Sequence, residues 1–477
     1  MRLTRRSLLG FGGMLLASRL AGAAAADPAA RRALAPDLQQ RLLDRMEALR
    51  VPALAVAAVR NGEVIVADAI GYASLPFRVP ADERTLFHLG SVGKHFTAAL
   101  VLELEAAGRI TLDDPVGKHV KDLPRQFAAC PVRSLLSHTS GIPNYDGLAG
   151  MEGDRRVSRA RFMQAIGALP LDFSPGEAWA YSNTGFVILG RMIEDLTNRT
   201  YRQAVTEDLV VPSGLREGRV DDAEAIIAGR AEPYTAQGNE IRRAPQMNGD
   251  FSGWPDGGMI VSARDAAAWE IGLQKGAPIP ATTLDRMTTP VRLSTGRSAG
   301  YGFAWFTDRM AGRPMHYHSG SVDGFLAFWL RLPAQGLGVA AMVNLDTQPA
   351  RHLRRAAIFE IAEALAPGST CWSLPPLHDE DPGLTERTRR LIAGGVRSAD
   401  SRTFAPELAR LRSPRAFDQA TGLEEAAAVE PGAFELVETF DEEGGHVRRY
   451  RAHLADGPVH YDVGYDRGGR IFRIRDV

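Results

Sequence analysis

Ser91 and Lys94 stand three residues apart in the stretch Phe87-His88-Leu89-Gly90-Ser91-Val92-Gly93-Lys94. That spacing is close to one helical turn and brings two side chains within about 5–6 Å between Cβ atoms. Up to Gly90 the residues suit an extended chain. Beyond it Phe96, Leu100 and Leu104 carry helical periodicity as far as Gly108, so Ser91 is predicted to open a helix. A serine hydroxyl becomes a nucleophile when a neighbouring base takes its proton, and a lysine can be that base only if its surroundings bring its pKa down from about 10.4. A helix N-terminus adds partial positive charge and N–H groups beside a developing oxyanion. Alone, the pair is also what any solvated first turn of a helix presents.

Two further groups could complete such chemistry. Tyr181-Ser182-Asn183 follows the turn-forming Pro175-Gly176-Glu177 and precedes the helical stretch Thr184–Glu194. A phenol there can relay a proton to a leaving group, and an amide two residues on can hydrogen-bond both a lysine and a substrate carbonyl. The plainer reading is a core tyrosine and a helix-capping asparagine. His318-Ser319-Gly320 lies just before a strand-rich segment. Residues two apart on a strand share a face, and the glycine permits close approach to the backbone. By itself a histidine such as His318 is more often a satisfied structural residue than a catalytic one. His138 reads as structural, holding the turn around Ser140-Gly141 through hydrogen bonds.

The elements that must position these residues are legible from pattern. Leu38, Leu42, Met46 and Leu49 behind Pro36-Asp37 predict a helix over 36–49. Residues 52–59 and 63–70 predict two strands joined by a type I′ turn at Asn61-Gly62. Residues 324–332 and 337–344 form a second pair of strand-like runs, followed by a helix over about 349–365. Residues 92–290 between these sheet segments carry mostly helical periodicity, loops and glycine-rich turns. The fold class expected is α/β in the α+β sense: an antiparallel sheet flanked by helices, with a mostly helical insertion and a cleft between the two.

Residues 367–383 cluster Pro and Gly and read as a linker. Residues 384–477 read as a small C-terminal α+β domain, with helices near 384–393 and 405–413 and strands at 433–440, 446–454, 459–465 and 470–475. Its Arg448-Arg449-Tyr450-Arg451 run reads as a solvated strand edge. At the other end, Thr4-Arg5-Arg6-Ser7-Leu8-Leu9 precedes a short apolar run and Ala23–Ala26, the pattern of a twin-arginine export signal over residues 1–26. The hydrolase unit is then 27–366, and the expected location is the periplasm. The chain carries 56 basic and 57 acidic residues, four of the arginines within residues 1–26, so the remainder has a net charge near −5. With no basic block, this excludes a nucleic-acid footprint. Cys130 and Cys371 show no metal-site spacing, and their pairing is open on sequence.

In the order Ser-x-x-Lys, Tyr-x-Asn and His-x-Gly, the three motifs resemble the family of class C β-lactamases, serine D-alanyl-D-alanine peptidases, D-aminopeptidases and related esterases. Leu112–Val116, Leu135–Pro143, Gly257–Asp265 and Tyr301–Trp305 look like that family too, so the likeness covers roughly residues 36–365. The resemblance implies a β-lactamase/transpeptidase-like fold and an acyl-enzyme at Ser91. It implies that Lys94 and Tyr181 share the base and acid work, that Asn183 orients Lys94 and substrate, and that His318 fills the third-motif place. Ser319 and Gly320 would then border the substrate, main-chain N–H groups of Ser91 and Ser321 would bind the oxyanion, and no metal or organic cofactor would be needed. Family β-lactamases usually carry lysine where His318 stands, and histidine makes that charge depend on pH. The expected activity is therefore hydrolysis of a peptide, amide or ester of the peptidase or esterase type. The alternatives are a genuine β-lactamase and a non-catalytic cell-wall or ligand-binding protein on the same scaffold.

Overall fold

A computed structural model describes residues 33–146, 148, 157–238, 240–245, 253–394, 400–411, 414–421, 434–454 and 457–476. The export signal expected over residues 1–26 lies outside them. A seven-stranded antiparallel sheet forms the centre. Its strands are β1 (Ala53–Arg60), β2 (Glu63–Ser74), β3 (Val79–Pro80), β4 (Phe306–Met310), β5 (Arg313–Val322), β6 (Phe325–Leu332) and β7 (Leu337–Val343), in the order β3-β2-β1-β7-β6-β5-β4. The predicted first hairpin is present, and Asn61 and Gly62 both adopt positive φ, 51° and 75°, as its turn requires. Residues 306–322 supply the last two strands: the one expected at His318–Gly320 is β5, and β4, which sequence periodicity does not mark, covers it as the edge. His318 and Gly320 therefore sit on β5, one strand in from the edge.

Side chains alternate across the sheet with period two, so each central strand feeds two cores. Ala55, Ala57 and Val59 of β1, Ala327 and Trp329 of β6, and Ala340 and Met342 of β7 face the helical insertion. Leu54, Val56 and Ala58, with Leu326, Phe328, Leu330, Val339 and Ala341, face the opposite layer. That layer is made by α1 (Pro36–Leu49), through Leu38, Leu42 and Met46, and by the helix Gln348–Leu365. On the insertion side three helices lead to the site: α2 (Lys94–Ala106), α3 (Asn183–Thr197) and α4 (Ala263–Lys275). The first nine of the thirteen residues of α2, Lys94–Leu102, are buried all round, as expected of a helix through the middle of a core.

After α5 (Gln348–Leu365) the chain makes a second unit, with helices α6 (Pro382–Gly394) and α7 (Pro414–Thr421). Its four-stranded antiparallel sheet contains β8 (Phe434–Glu442), β9 (Gly445–Leu454), β10 (Gly457–Asp466) and β11 (Ile471–Asp476). Residues 367–383 are tied down between the two units. Cys371 is packed in the core beside α5, and the Leu377 N–H donates to the Leu436 carbonyl at 2.7 Å. The sheet's core includes Phe173, Ala178 and Ala180 of the first unit, directly before Tyr181.

The arginine run on β9 departs from the solvated edge expected of it. β9 is an inner strand, and Arg449 is fully buried, reaching Asp462 Oδ1 at 2.6 Å and Glu438 Oε2 at 2.5 Å. Glu438 also accepts N–H bonds from Ala311 and Gly312 in the β4–β5 turn, and an Arg449 N–H reaches the Arg309 carbonyl at 2.7 Å. The charges are buried because they join the two units, a long-range relation that a local charge pattern does not carry. Cys130 and Cys371 are both free thiols, buried in separate cores.

Candidate active site

Ser91 sits in a single 3₁₀ turn, Gly90–Gly93, that runs straight into α2. The turn is held by close backbone approaches that only glycines allow. A Cβ on Gly320 of β5 would lie 1.9 Å from the Leu89 carbonyl oxygen and 3.2 Å from the Ser91 nitrogen. One on Gly90 would lie 2.7 Å from the Ser321 nitrogen, and one on Gly257 would lie 2.9 Å from the Gly90 carbonyl carbon. The glycine of the third motif thus admits another stretch of the protein's own backbone. The same contacts set the main chain of Ser91 beside that of Ser321.

Lys94 is completely buried. Its Nζ lies 3.0 Å from Ser91 Oγ and 2.7 Å from Asn183 Oδ1, and it also reaches the Asp256 carbonyl oxygen. The ring of Tyr181 lies 4.9 Å from the amine and that of Phe186 5.4 Å. Burial lowers the Lys94 pKa to about 8, against the opposing pull of the Asp256 and Asp146 carboxylates. Tyr181, by contrast, is held well above its ordinary value, with burial the leading cause. The structure thus brings Ser91, Lys94, Tyr181 and Asn183 together.

Asn183 has a fixed orientation. Its Nδ2 donates to Asp146 Oδ2 at 2.8 Å, and its main-chain N–H donates to Asn144 Oδ1 at 3.1 Å. Asn144 Nδ2 donates to the same Asp146 oxygen at 2.9 Å. Because a carboxylate only accepts, the amide nitrogen must face Asp146 and the amide oxygen must face Lys94. Tyr145 completes the arrangement by donating to Asp256 Oδ2 at 2.8 Å. Asn144, Tyr145, Asp146 and Asp256 are not apparent from sequence. The available signal is that three of them follow Ile142-Pro143 directly, and that Asp256 precedes the Gly257-Gly258 pair.

His318 is buried and neutral. Nδ1 lies 2.6 Å from the Ser319 carbonyl oxygen, to which it can only donate, so Nε2 accepts from the Tyr301 hydroxyl at 2.9 Å. Burial, with Lys94 nearby, lowers its pKa to about 3. A charge that switches near neutral pH, expected from sequence, is therefore absent at this position. His138 also differs in detail. Its Nδ1 accepts the Ser182 N–H at 3.1 Å and its carbonyl accepts the Ala180 N–H at 3.0 Å. It holds the Tyr181-Ser182-Asn183 segment rather than the Ser140-Gly141 turn, with its ring 4.2 Å from that of Tyr181.

A cleft of about 240 Å³ opens beside Ser91, lined by Trp179, Tyr181, Phe306, Ser319, Ser321 and the end of β11. Arg351 of α5 donates to Ser321 Oγ at 3.1 Å, and Arg354 holds the Gly320 carbonyl at 2.9 Å. Among the described residues no group of three or more His, Cys, Asp or Glu is placed to hold a metal ion, and no helix is long and apolar enough to cross a membrane.

Comparison with known proteins places this site in context. A D-aminopeptidase from Gluconobacter oxydans is 30% identical over 312 residues, covering 61% of this chain and 56% of that protein. At 56% to 60%, the matched segment spans less than two thirds of the length of the curated relatives it matches. The octameric penicillin-binding protein homologue from Pyrococcus abyssi superposes with a TM-score of 0.60 at 22% identity, over 91% of this chain and 94% of that one. A D-stereospecific amidohydrolase from Streptomyces sp. gives a TM-score of 0.54 at 27% identity, over 66% of this chain and 95% of that one. The beta-lactamase family model matches residues 38–363. With well over half its length matched in this way, and with the expected sheet and helical insertion around Ser91, the chain belongs to the beta-lactamase family.

Proposed function

We propose that this protein is a serine hydrolase that cleaves an amide or ester through an acyl intermediate on Ser91. The observation that carries this reading is a fully buried lysine, its pKa lowered to about 8, with Nζ 3.0 Å from Ser91 Oγ. In the proposed cycle Lys94 takes the Ser91 proton as Oγ attacks the substrate carbonyl. The Ser91 and Ser321 N–H groups meet the resulting oxyanion. Tyr181, protonated because of its burial, passes a proton to the leaving group, and water then releases the acyl group by the reverse use of the same residues. Asn183, fixed by Asp146, orients Lys94. His318 positions Tyr301 and the β5 backbone as a neutral ring.

The D-aminopeptidase and D-stereospecific amidohydrolase among the relatives support an amide of a D-configured residue as the substrate class. A neutral His318 argues against β-lactam turnover, which in this family usually draws on a fixed cation at that place. A twin-arginine leader over residues 1–26 would deliver the protein to the periplasm. The test is intact mass after incubation with a fluorophosphonate or a penicillin, for the parent protein and for Ser91→Ala. The expected result is one adduct on the parent and none on the variant. Absence of both adduct and turnover, across D-alanyl anilides, short nitrophenyl esters and a chromogenic cephalosporin, overturns the reading.

A further inference from the structure

The cleft beside Ser91 is not closed by the hydrolase unit alone. Ile474, Arg475 and Asp476, the last three residues of β11, form part of its wall, together with Asp418 and Ala420 of α7. Arg475 reaches into the first unit. Its guanidinium lies 5.3 Å from the ring centre of Trp179 and 5.0 Å from that of Phe306, both of which line the same cleft. Its Nη1 and Nη2 donate to the carbonyls of Gly300 at 2.8 Å and Ala299 at 2.7 Å. Gly300 makes room for it, since a Cβ there would lie 2.5 Å from Arg475 Nη1 and the residue has a positive φ of 59°. Next along the strand, Asp476 pairs with Arg355 of α5 at 2.8 Å.

These contacts, with the buried Arg449 cluster behind them, make β11 a fixed wall. The cleft it bounds, about 240 Å³, falls below the roughly 300–1,000 Å³ of pockets that enclose drug-sized ligands. We propose that the C-terminal domain is part of the substrate site and that Arg475, wedged against Trp179 and Phe306, is a specificity-determining residue that restricts the cleft to a compact substrate group. The proposal rests on the serine-hydrolase reading above.

The test uses the full-length protein with Arg475→Ala, Arg475→Met and Arg475→Lys. Relative kcat/KM is measured over two ester series, one lengthening the acyl chain from acetate to decanoate and one lengthening the alcohol. Fluorophosphonate labelling at Ser91 and thermal midpoints are followed in parallel. The parent is expected to lose activity with length in at least one series. Arg475→Ala relieves that loss tenfold or more, measured as the long-to-short ratio, while labelling persists. Methionine, which refills the volume without charge, restores the parent's cut-off. Lysine keeps a cation for the two carbonyls but withdraws the planar group, so it relieves the loss by a smaller factor and decides the matter if Arg475→Ala does not fold. Unchanged ratios in folded, labelled variants overturn the proposal, as does a methionine variant that behaves like alanine. A parent that is neither labelled nor active overturns the hydrolase reading itself, and the proposal with it.

Discussion

Replacing Asp146 by Asn tests whether the site tunes its base as described. Asparagine keeps an oxygen that can accept from Asn183 Nδ2 and Asn144 Nδ2, so the orientation of Asn183 is preserved and only a charge is removed. Asp146 and Lys94 are joined through the Asn183 amide by hydrogen bonds of 2.8 Å and 2.7 Å, placing the charges up to about 7 Å apart. At an effective dielectric of about 20, a unit pair about 7 Å apart is worth roughly 2 kcal/mol, or about 1.5 pH units. The sign follows from which form each influence favours. Burial disfavours the ammonium and the carboxylates favour it, so without Asp146 the Lys94 pKa falls further below about 8. The neutral lysine needed as a base then persists to lower pH. The acid limb of kcat/KM against pH, expected near 8 in the parent, should move down by about one unit in Asp146→Asn, with the plateau changed by less than about tenfold. Asp146→Ala removes the acceptor as well, frees Asn183 to turn, and should depress the plateau by about a hundredfold. A limb that stays in place, or moves to higher pH, refutes the account of how Lys94 is tuned.

Acid should destabilise the fold steeply. The pKa values of His95 and His138 lie well below 6.5, His316 is lowered to about 4, and His318 and His460 to about 3, with burial the leading cause in each. Below pH 6.5 the unfolded chain takes up protons that the folded one does not, and each such group costs about 1.4 kcal/mol per pH unit until its folded pKa is reached. The buried Asp256 carboxyl, its pKa raised by burial, offsets part of this. Denaturant midpoints at pH 7.5, 6.0 and 5.0 should fall progressively, and a midpoint that holds to pH 5 contradicts the placement of these rings. Gly320→Ala should drive the Leu89 carbonyl and Ser91 apart, reducing Ser91 labelling at least a hundredfold and lowering stability by about 1–3 kcal/mol; labelling at the parent's rate would count against the interlocked backbones. Arg449→Ala leaves buried carboxylates unpaired and should cost about 3–5 kcal/mol. Limited proteolysis should then cut first between the two units.

How much of this was readable beforehand depended on the range of each interaction. The 36–49 helix, the Asn61-Gly62 hairpin and the Ser91–Lys94 pair arise from neighbours in sequence, and periodicity or turn chemistry reveals them. The order of the three motifs revealed which distant residues meet. The fixed face of Asn183 was not readable, because it depends on Asp146, 37 residues away and unremarkable in its own surroundings. The state of His318 was misread for a similar reason. Residue type alone suggests a group that titrates near neutral pH, whereas Tyr301, the Ser319 carbonyl and complete burial hold it neutral. The strand at 306–310 is hidden because it is short and its residues serve the cleft, the C-terminal domain and the core in turn. Arg448–Arg451 looks solvated only when partners on other strands are unseen.

The three contacts of Lys94 have a consequence for where its proton travels. Two of the partners, the Asn183 amide oxygen and the Asp256 carbonyl, have no hydrogen to give, and only the Ser91 hydroxyl does. A charged amine can donate to all three. Once it loses a proton it keeps two hydrogens and one lone pair, and the two pure acceptors claim the hydrogens. The lone pair is left pointing at Ser91, whose O–H must turn to meet it. Deprotonating the lysine therefore reverses the direction of a single hydrogen bond, so that the same event that makes the base also aims it at the proton it removes.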